Sequence, residues 1–422
     1  MTQHRSSCFY NLVRQAALAA TLLCAIARAA HAQPAPFAAP TRATDLPMVW
    51  LEAKGPFTRD TTAACTMTLA STGQERAAAA ELKGVVRLRG SSSLSYPKKS
   101  YALCLHKPTG LLDLPAHRHW ILNAAFIDRS LIRHKLAYDL FRSLSERGRP
   151  RYAASSRFVE LNLNGTYQGV YLLMEQVDHE LAGLPAYVKQ DAAHTAVYKA
   201  VNHDAGFDQP GHGGFEQVVP DPALLAYWQP LDDLTQFIHT APAAQFRNPQ
   251  NGIAAQLDLD NAIDFHLLIL VTANTDGITK NFYLVRPRPS AASPARFFFI
   301  PWDFDGVFGQ NWDATPLPPE LWLSNRLFDR LLEDPDYRDR FAARWQQLRD
   351  RQFSTESIHK MIEANVKEIA AAAGRNATRW AATRNRYPNQ LTFEQDVARM
   401  KTWAAAHLAW LDQTIQDRSK KK

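Results

Sequence analysis

Asn274-Thr275-Asp276-Gly277-Ile278-Thr279-Lys280-Asn281 is followed, after two short apolar runs, by Pro301-Trp302-Asp303-Phe304-Asp305-Gly306. The runs, Asn281 to Val285 and Arg296 to Ile300, are separated by a Pro- and Ala-rich loop, a pattern that predicts two strands. A helix is predicted just before them, because Ile263, Leu267, Leu268 and Val271 form an apolar stripe within Asp258 to Thr272. Oxygen-bearing side chains therefore stand at both ends of the strand pair. Asp303 and Asp305 come at the mouth of an apolar strand, where a carboxylate needs a cation, a donor or water. Mg²⁺ takes hard oxygen ligands and usually only one or two carboxylates from the protein. The plainer reading is loop capping by Asn274, Asp276 and Asn281 and a solvated turn at Asp303 and Asp305.

Phosphoryl transfer gives this order a chemical meaning. It asks little covalent chemistry of a protein, which mainly positions two substrates and neutralises phosphate charge with a metal. Protein kinases use an Asp, an Asn five positions later, two short strands and then a metal-binding Asp-Phe. Asp276 and Asn281 have that offset, and Asp303-Phe304 follows the two predicted strands.

A nucleotide must also be held from its other side, and neither GxGxxG nor a Walker A sequence is present. The candidate substitute is Arg89-Gly90-Ser91-Ser92-Ser93-Leu94-Ser95-Tyr96-Pro97-Lys98-Lys99, a tight loop of N–H groups, hydroxyls and cations. It reads equally as a surface turn with solvated lysines. Glu175, ending an apolar strand, either pairs with Lys98 or Lys99 or is an exposed strand-end carboxylate. Arg133, on a predicted helix over 129–145, either reaches phosphate or caps that helix.

The 422 residues, 46% apolar and 21% charged, suffice for a sizeable core in one large domain or two modest ones. Arg5 and Arg14 precede an apolar stretch from about Ala16 to Ala27, and Ala30-His31-Ala32 offers a cleavage site. Residues 1–32 thus read as an export signal, which makes the mature chain periplasmic or extracellular. Arg28 cuts the stretch below the roughly 18–20 residues that span a bilayer, so no stable membrane span is expected. Losing three arginines and no acid lowers the formal charge from +7 to +4. With charges of both signs alternating along the chain, nucleic-acid binding is not expected. Cys65 and Cys104 remain as the mature cysteines, and an oxidising compartment suggests a disulfide between them; the alternative is two separate thiols.

Residues 33–45, rich in Pro and Ala, read as a linker. Val85 to Arg89 and Tyr101 to Leu105 read as strands joined by the serine loop, and Phe158 to Leu163, Asn164-Gly165 and Thr166 to Met174 as a hairpin on a type I′ turn. From about Lys189 to Pro222 the chain is polar and glycine-rich, which suggests a flap. Beyond Pro318 it reads as largely helical, with Leu327, Leu331, Phe341, Trp345, Trp403, Leu408 and Leu411 at helical spacing. His106, His117, His119, His203 and His212 are scattered without zinc spacing. No Gly-x-Ser-x-Gly elbow supports a hydrolase, and the tryptophans lie mostly at core spacing, against a sugar-stacking glycosidase.

Arg89 to Ser93, Tyr96 to Tyr101, Asp128-Arg129-Ser130-Leu131-Ile132-Arg133, Asn164 to Glu175, Asn274 to Asn281 and Pro301 to Asp305 together resemble the CotH kinase family, from about residue 83 to 415. The resemblance implies an α+β, two-lobed atypical protein-kinase-like fold, with a strand-rich N-lobe over about 46–185 and a mainly helical C-lobe over about 220–415; beyond it, 416–422 reads as a basic tail. It implies transfer of phosphate from ATP to serines of secreted or surface proteins with Mg²⁺ or Mn²⁺. Asp276 would be catalytic, Asn281, Asp303 and Asp305 would hold metal, and Arg89, Ser91, Ser92, Lys98, Lys99, Arg133 and Glu175 would serve the nucleotide. Ser91 departs from the commoner Arg-Gly-Asn-Ser-Ser form of the family loop. The rival reading is an inactive relative acting in adhesion or ligand binding at the surface. Intact-mass measurement of the exported protein is expected to place its first residue at or near Gln33; residues 1–32 still attached would refute the signal.

Overall fold

The computed structural model describes residues 43, 45–191, 193–290 and 295–420. The stretch read as an export signal, most of the stretch read as a linker and the end of the basic tail lie outside the described residues. The fold is α+β. Among the described residues no helix is long and apolar enough to cross a membrane.

The first part of the chain is a closed barrel of β1 (Met48–Ala53), β2 (Ala63–Ala70), β3 (Glu81–Arg89), β4 (Ser100–Thr109), β5 (His117–Asn123), β6 (Ser156–Leu163) and β7 (Thr166–Glu175). Its strand order is β1-β2-β3-β4-β5-β7-β6, and parallel pairing of β1 with β6, Leu51 opposite Leu163, closes it. Alternation sends Val49, Leu51, Met67, Leu103, Trp120, Val159, Tyr171 and Leu173 into the barrel. The opposite faces of β5, β6 and β7 carry Ile121, Phe158, Val170, Leu172 and Met174, which pack into a second core shared with the helices. A closed barrel is not obviously a kinase lobe, so the kinase-like part of the expected fold does not follow from this half.

The β6–β7 hairpin turns at Asn164 (φ 48°) and Gly165 (φ 80°), as Asn-Gly predicts. Further along β7, Gly169 (φ +89°) leaves room for the Asn376 side chain, which a Cβ would meet at 2.3 Å. That close approach seats a long helix, Thr355–Trp380, on the barrel, where Arg375 also grips Glu160 with two bonds of 2.8 and 2.9 Å.

The second part joins helices α1 (Arg133–Ser143), α2 (Gln229–Thr240), α3 (Ala243–Phe246), α4 (Ile253–Gln256), α5 (Leu259–Thr272), α6 (Arg326–Leu332), α7 (Pro335–Arg349), α8 (Thr355–Trp380) and α9 (Phe393–Ser419) to an antiparallel sheet. The sheet has the order β11-β10-β8-β9, from β8 (Ala196–Ala200), β9 (Phe215–Val219), β10 (Phe282–Arg286) and β11 (Phe298–Pro301). The stretch read as a flap therefore supplies two strands: Ala196 to Ala200 is apolar apart from Lys199 and pairs with β10. Helix α5 starts on its Asp258 cap and is buried along nearly its whole length, with Phe265 stacked 4.5 Å from Phe299.

Two sequence expectations are corrected. Helix α1 begins at Arg133 and not at 129, because Asp128 accepts N–H bonds from Ser130 (3.0 Å) and Arg133 (2.9 Å) and holds the intervening residues in a turn. Cys65 and Cys104 are free thiols. They sit on β2 and β4, with β3 between them. Cys65 pairs with Gly84 and Gly84 with Leu105, so Cys65 and Leu105 face the barrel interior while Cys104 faces out. Two strand spacings put them roughly 9.6 Å apart, beyond the about 7 Å that a disulfide tolerates. Alkylation of denatured, unreduced protein should modify both Cys65 and Cys104; a linked peptide pair would overturn this placement.

Arg133 is fully buried. It grips Asp396 of α9 through two bonds of 2.6 and 3.1 Å, pairs with Asp128, and donates Nε–H to the Val307 carbonyl at 2.8 Å. Burial opposes its charge, but Asp396 and Asp128 outweigh burial and hold its pKa above the usual value. Arg133→Met strands two buried carboxylates and is expected to cost about 3–5 kcal/mol, read as a lower urea midpoint; a loss below about 1 kcal/mol would show that the pairs contribute little.

Candidate functional site

Antiparallel pairing of β10 with β11 sets Phe282 opposite Pro301, and the Trp302 N–H donates to the Asn281 carbonyl at 3.1 Å. The hairpin thus brings Asn281 and Asp303, 22 positions apart, to one end of the sheet. Both residues have φ near 60°, a region that Asn and Asp enter more readily than other non-glycine residues and that recurs at functional sites.

Helix α1 supports Asp303 from behind. The buried Tyr138 hydroxyl accepts the Asp303 N–H at 2.9 Å, and His134 Nε2 lies 3.3 Å from Asp303 Oδ1. The Asp303 side chain remains 47% exposed, so its carboxylate faces an opening although protein surrounds its base. Burial raises its pKa, but the His134 bond and charge and the Arg89 and Lys199 cations hold it below the usual range. Asp305 is pushed the other way, to about 7, first by burial and then by the Asp303 charge. Burial also works against charge on His134; its bond to Asp303 and the neighbouring carboxylates prevail and raise its pKa.

Two cations lie near Asp303. Arg89, the last residue of β3, lies over the Trp302 ring at 5.3 Å. Lys199, on β8 opposite Tyr283, has its pKa lowered by burial and then by Arg89, with Asp303 acting in the opposite sense. The serine loop is close by: Tyr96, at its end, is pushed up to about 12 by burial and then by the negative charge of Asp305.

Asp276 lies in the turn after α5. Its carboxylate binds Lys280 at 3.0 Å and stands 4.0 Å from His203 Nε2. Gly277 is required there, because a Cβ would fall 2.6 Å from the Asn274 side chain and 2.8 Å from Ile269.

The remaining sequence candidates are placed as follows. Ser91 and Ser92 are exposed on the serine loop, and Lys99 Nζ donates to the Leu94 carbonyl, bracing that loop. Lys98 points away into the protein, donating to the carbonyls of Ala124 (2.8 Å) and Val170 and to Asn376 Oδ1 (3.1 Å). Glu175 accepts the Ser155 N–H at 2.8 Å and is buried, so it makes no ion pair with Lys98 or Lys99 among the described contacts. Lys98, Glu175 and the buried Arg133 are thus corrected from nucleotide contacts to structural groups. Sequence reasoning missed Lys199, His134 and Tyr138. The strand-like Ala196-Val197-Tyr198-Lys199-Ala200 could have revealed the first; the other two sit on a helix whose facing residues come from far along the chain.

The site suits a hard divalent cation. The Asp303 and Asp305 carboxylates offer hard oxygen ligands, and Asn281 stands at the same end of the hairpin. Arg89 and Lys199 offer positive charge to an anion on the same side. A family model described as CotH kinase protein matches residues 86–411. Inner spore coat protein H of Bacillus subtilis (strain 168) is 26% identical over 296 residues, spanning 67% of this chain and 76% of that protein. With most of its length matched, from the end of β3 into α9, the chain belongs to the CotH kinase protein family.

Proposed function

We propose that this protein is an exported, metal-dependent kinase that transfers the γ-phosphoryl group of ATP to serine hydroxyls of secreted or surface proteins. The observation that carries the reading is the convergence of Asp303 and Asp305 with Arg89 and Lys199 at the hairpin end that also bears Asn281. Family membership supports it.

In this reading Asn281, Asp303 and Asp305 hold Mg²⁺ or Mn²⁺, which when bound neutralises charge on the β- and γ-phosphates. Arg89 and Lys199 pair with phosphate oxygens, and the serine loop, with exposed Ser91 and Ser92, covers them. His134 and Tyr138 fix Asp303 from behind, one at its carboxylate and the other at its backbone. Asp276 orients the acceptor hydroxyl and takes its proton. The serine oxygen bonds to the γ-phosphorus as the β–γ bridging P–O bond breaks and ADP leaves. Lys280, 3.0 Å from Asp276, holds that carboxylate in place.

Asp303→Asn is expected to remove metal-dependent nucleotide binding and transfer together, because an amide lacks the carboxylate charge. Asp276→Asn should leave nucleotide binding largely intact and cut turnover by roughly 10²- to 10⁴-fold, the range for a lost general base. Lys199→Met should weaken ATP binding more than it slows saturated turnover. The measurements are nucleotide binding at several Mg²⁺ and Mn²⁺ concentrations and phosphate transfer to a serine-containing acceptor or to the protein itself. Wild-type protein that binds no nucleotide at any metal concentration would replace the kinase reading with adhesion or ligand binding on the same scaffold.

A further inference from the structure

At the rim of the barrel two histidines meet a carboxylate. His117 and His119 stand two apart on β5 and so project from one face of the strand. Asp178 and Glu180 belong to the segment leaving β7, which is tied back to β5 by the Gln176 N–H donating to the His119 carbonyl at 3.1 Å. His117 Nε2 lies 3.2 Å from Asp178 Oδ1 and 3.5 Å from Glu180 Oε2, and His119 Nδ1 lies 3.4 Å from Asp178 Oδ2. One ligand atom each from His117, His119 and Asp178 fall within 4.8 Å of one another. Four ligands about 2.0–2.1 Å from a tetrahedral ion are roughly 3.3–3.4 Å from each other, a spacing that the three nitrogen-to-carboxylate gaps match.

The surroundings are also those of a metal site. His117 Nδ1 accepts the His119 backbone N–H at 3.0 Å and lies 2.8 Å from the His119 carbonyl oxygen. These backbone contacts hold the ring with Nε2 toward Asp178, as backbone partners orient metal-binding histidines. Asp178 Oδ1 in turn accepts N–H bonds from Glu180 at 2.9 Å and Leu181 at 3.4 Å, which hold the carboxylate in place. His117 and Asp178 form the buried wall of the cluster, at 2% and 9% exposure, and His119 and Glu180 its open mouth, at 40% and 39%.

We propose that His117 Nε2, His119 Nδ1 and Asp178 bind one zinc-class divalent transition ion, with Glu180 or water as the fourth ligand. Imidazole nitrogens select such ions over Mg²⁺, whereas carboxylate oxygens such as those of Asp303 and Asp305 suit Mg²⁺ or Mn²⁺. The ion pins the start of β5 to the segment running from β7 toward β8, the strand that carries Lys199, and so fastens the barrel to the second sheet.

The test uses the full chain stripped with chelator and titrated with Co²⁺, whose visible bands are intense in tetrahedral sites. One equivalent should develop those bands, raise the unfolding midpoint, and be displaced by Zn²⁺ but not by Mg²⁺. His119→Ala, at an exposed position where folding is tolerant, and Asp178→Asn should each weaken Co²⁺ binding by more than the roughly 10- to 100-fold that losing a supporting partner costs. Asp303→Asn should leave the bands unchanged. Absence of one-equivalent tetrahedral bands in the wild type, Co²⁺ affinity unaltered by His119→Ala, or loss of the bands in Asp303→Asn would each overturn the site.

Discussion

The buried Arg133 guanidinium is the fastening on which the candidate site depends. It joins three pieces of chain that are distant in sequence: the turn at Asp128, the Val307 carbonyl just past the acidic pair, and Asp396 near the start of α9. A cation so deeply buried is tolerable only because its donors are met by carboxylates, the Ser130 hydroxyl and a carbonyl. The next residue in the chain is His134, so the same anchor that seats α1 also fixes where the imidazole meets Asp303. A structural ion pair thereby sets the geometry of a chemical one.

Around Asp303 the protein balances opposing effects. Burial favours neutral carboxylates, and two of them side by side favour it further, which is why Asp305 rises while Asp303, supported by His134, Arg89 and Lys199, falls. The supporting cations come from both halves of the molecule, Arg89 from the barrel and Lys199 from the second sheet, so the electrostatics depend on how those halves meet. They meet across the β5, β6 and β7 wall, which is apolar on both faces and therefore belongs to two cores at once.

Much of the local architecture was legible from composition and spacing. Asn164-Gly165 announced its hairpin because only a few residue pairs accept two successive positive φ angles. The spacing of Asp276, Asn281 and Asp303 identified a loop, two strands and a second loop because pairing register is a property of the hairpin itself. Reading failed where a residue's role depends on distant chain. Lys98 and Arg133 look like phosphate ligands in one dimension, yet each is enclosed by segments that arrive later, Asn376 for the lysine and Asp396 for the arginine. The two cysteines looked like a disulfide until the intervening strand β3 set them on opposite faces.

The sequence by itself determined the α+β class, the family, the hairpins and the acidic loops, since these rest on interactions between residues close along the chain. Tertiary structure alone decided the closure of the barrel, through Leu51 against Leu163, and the presence of His134, Tyr138 and Lys199 around Asp303. It alone decided, too, that His117 and His119 share a carboxylate with the segment after β7. Charge interactions and ligand geometry act over a few ångströms of space regardless of separation along the chain, and periodicity carries no record of them.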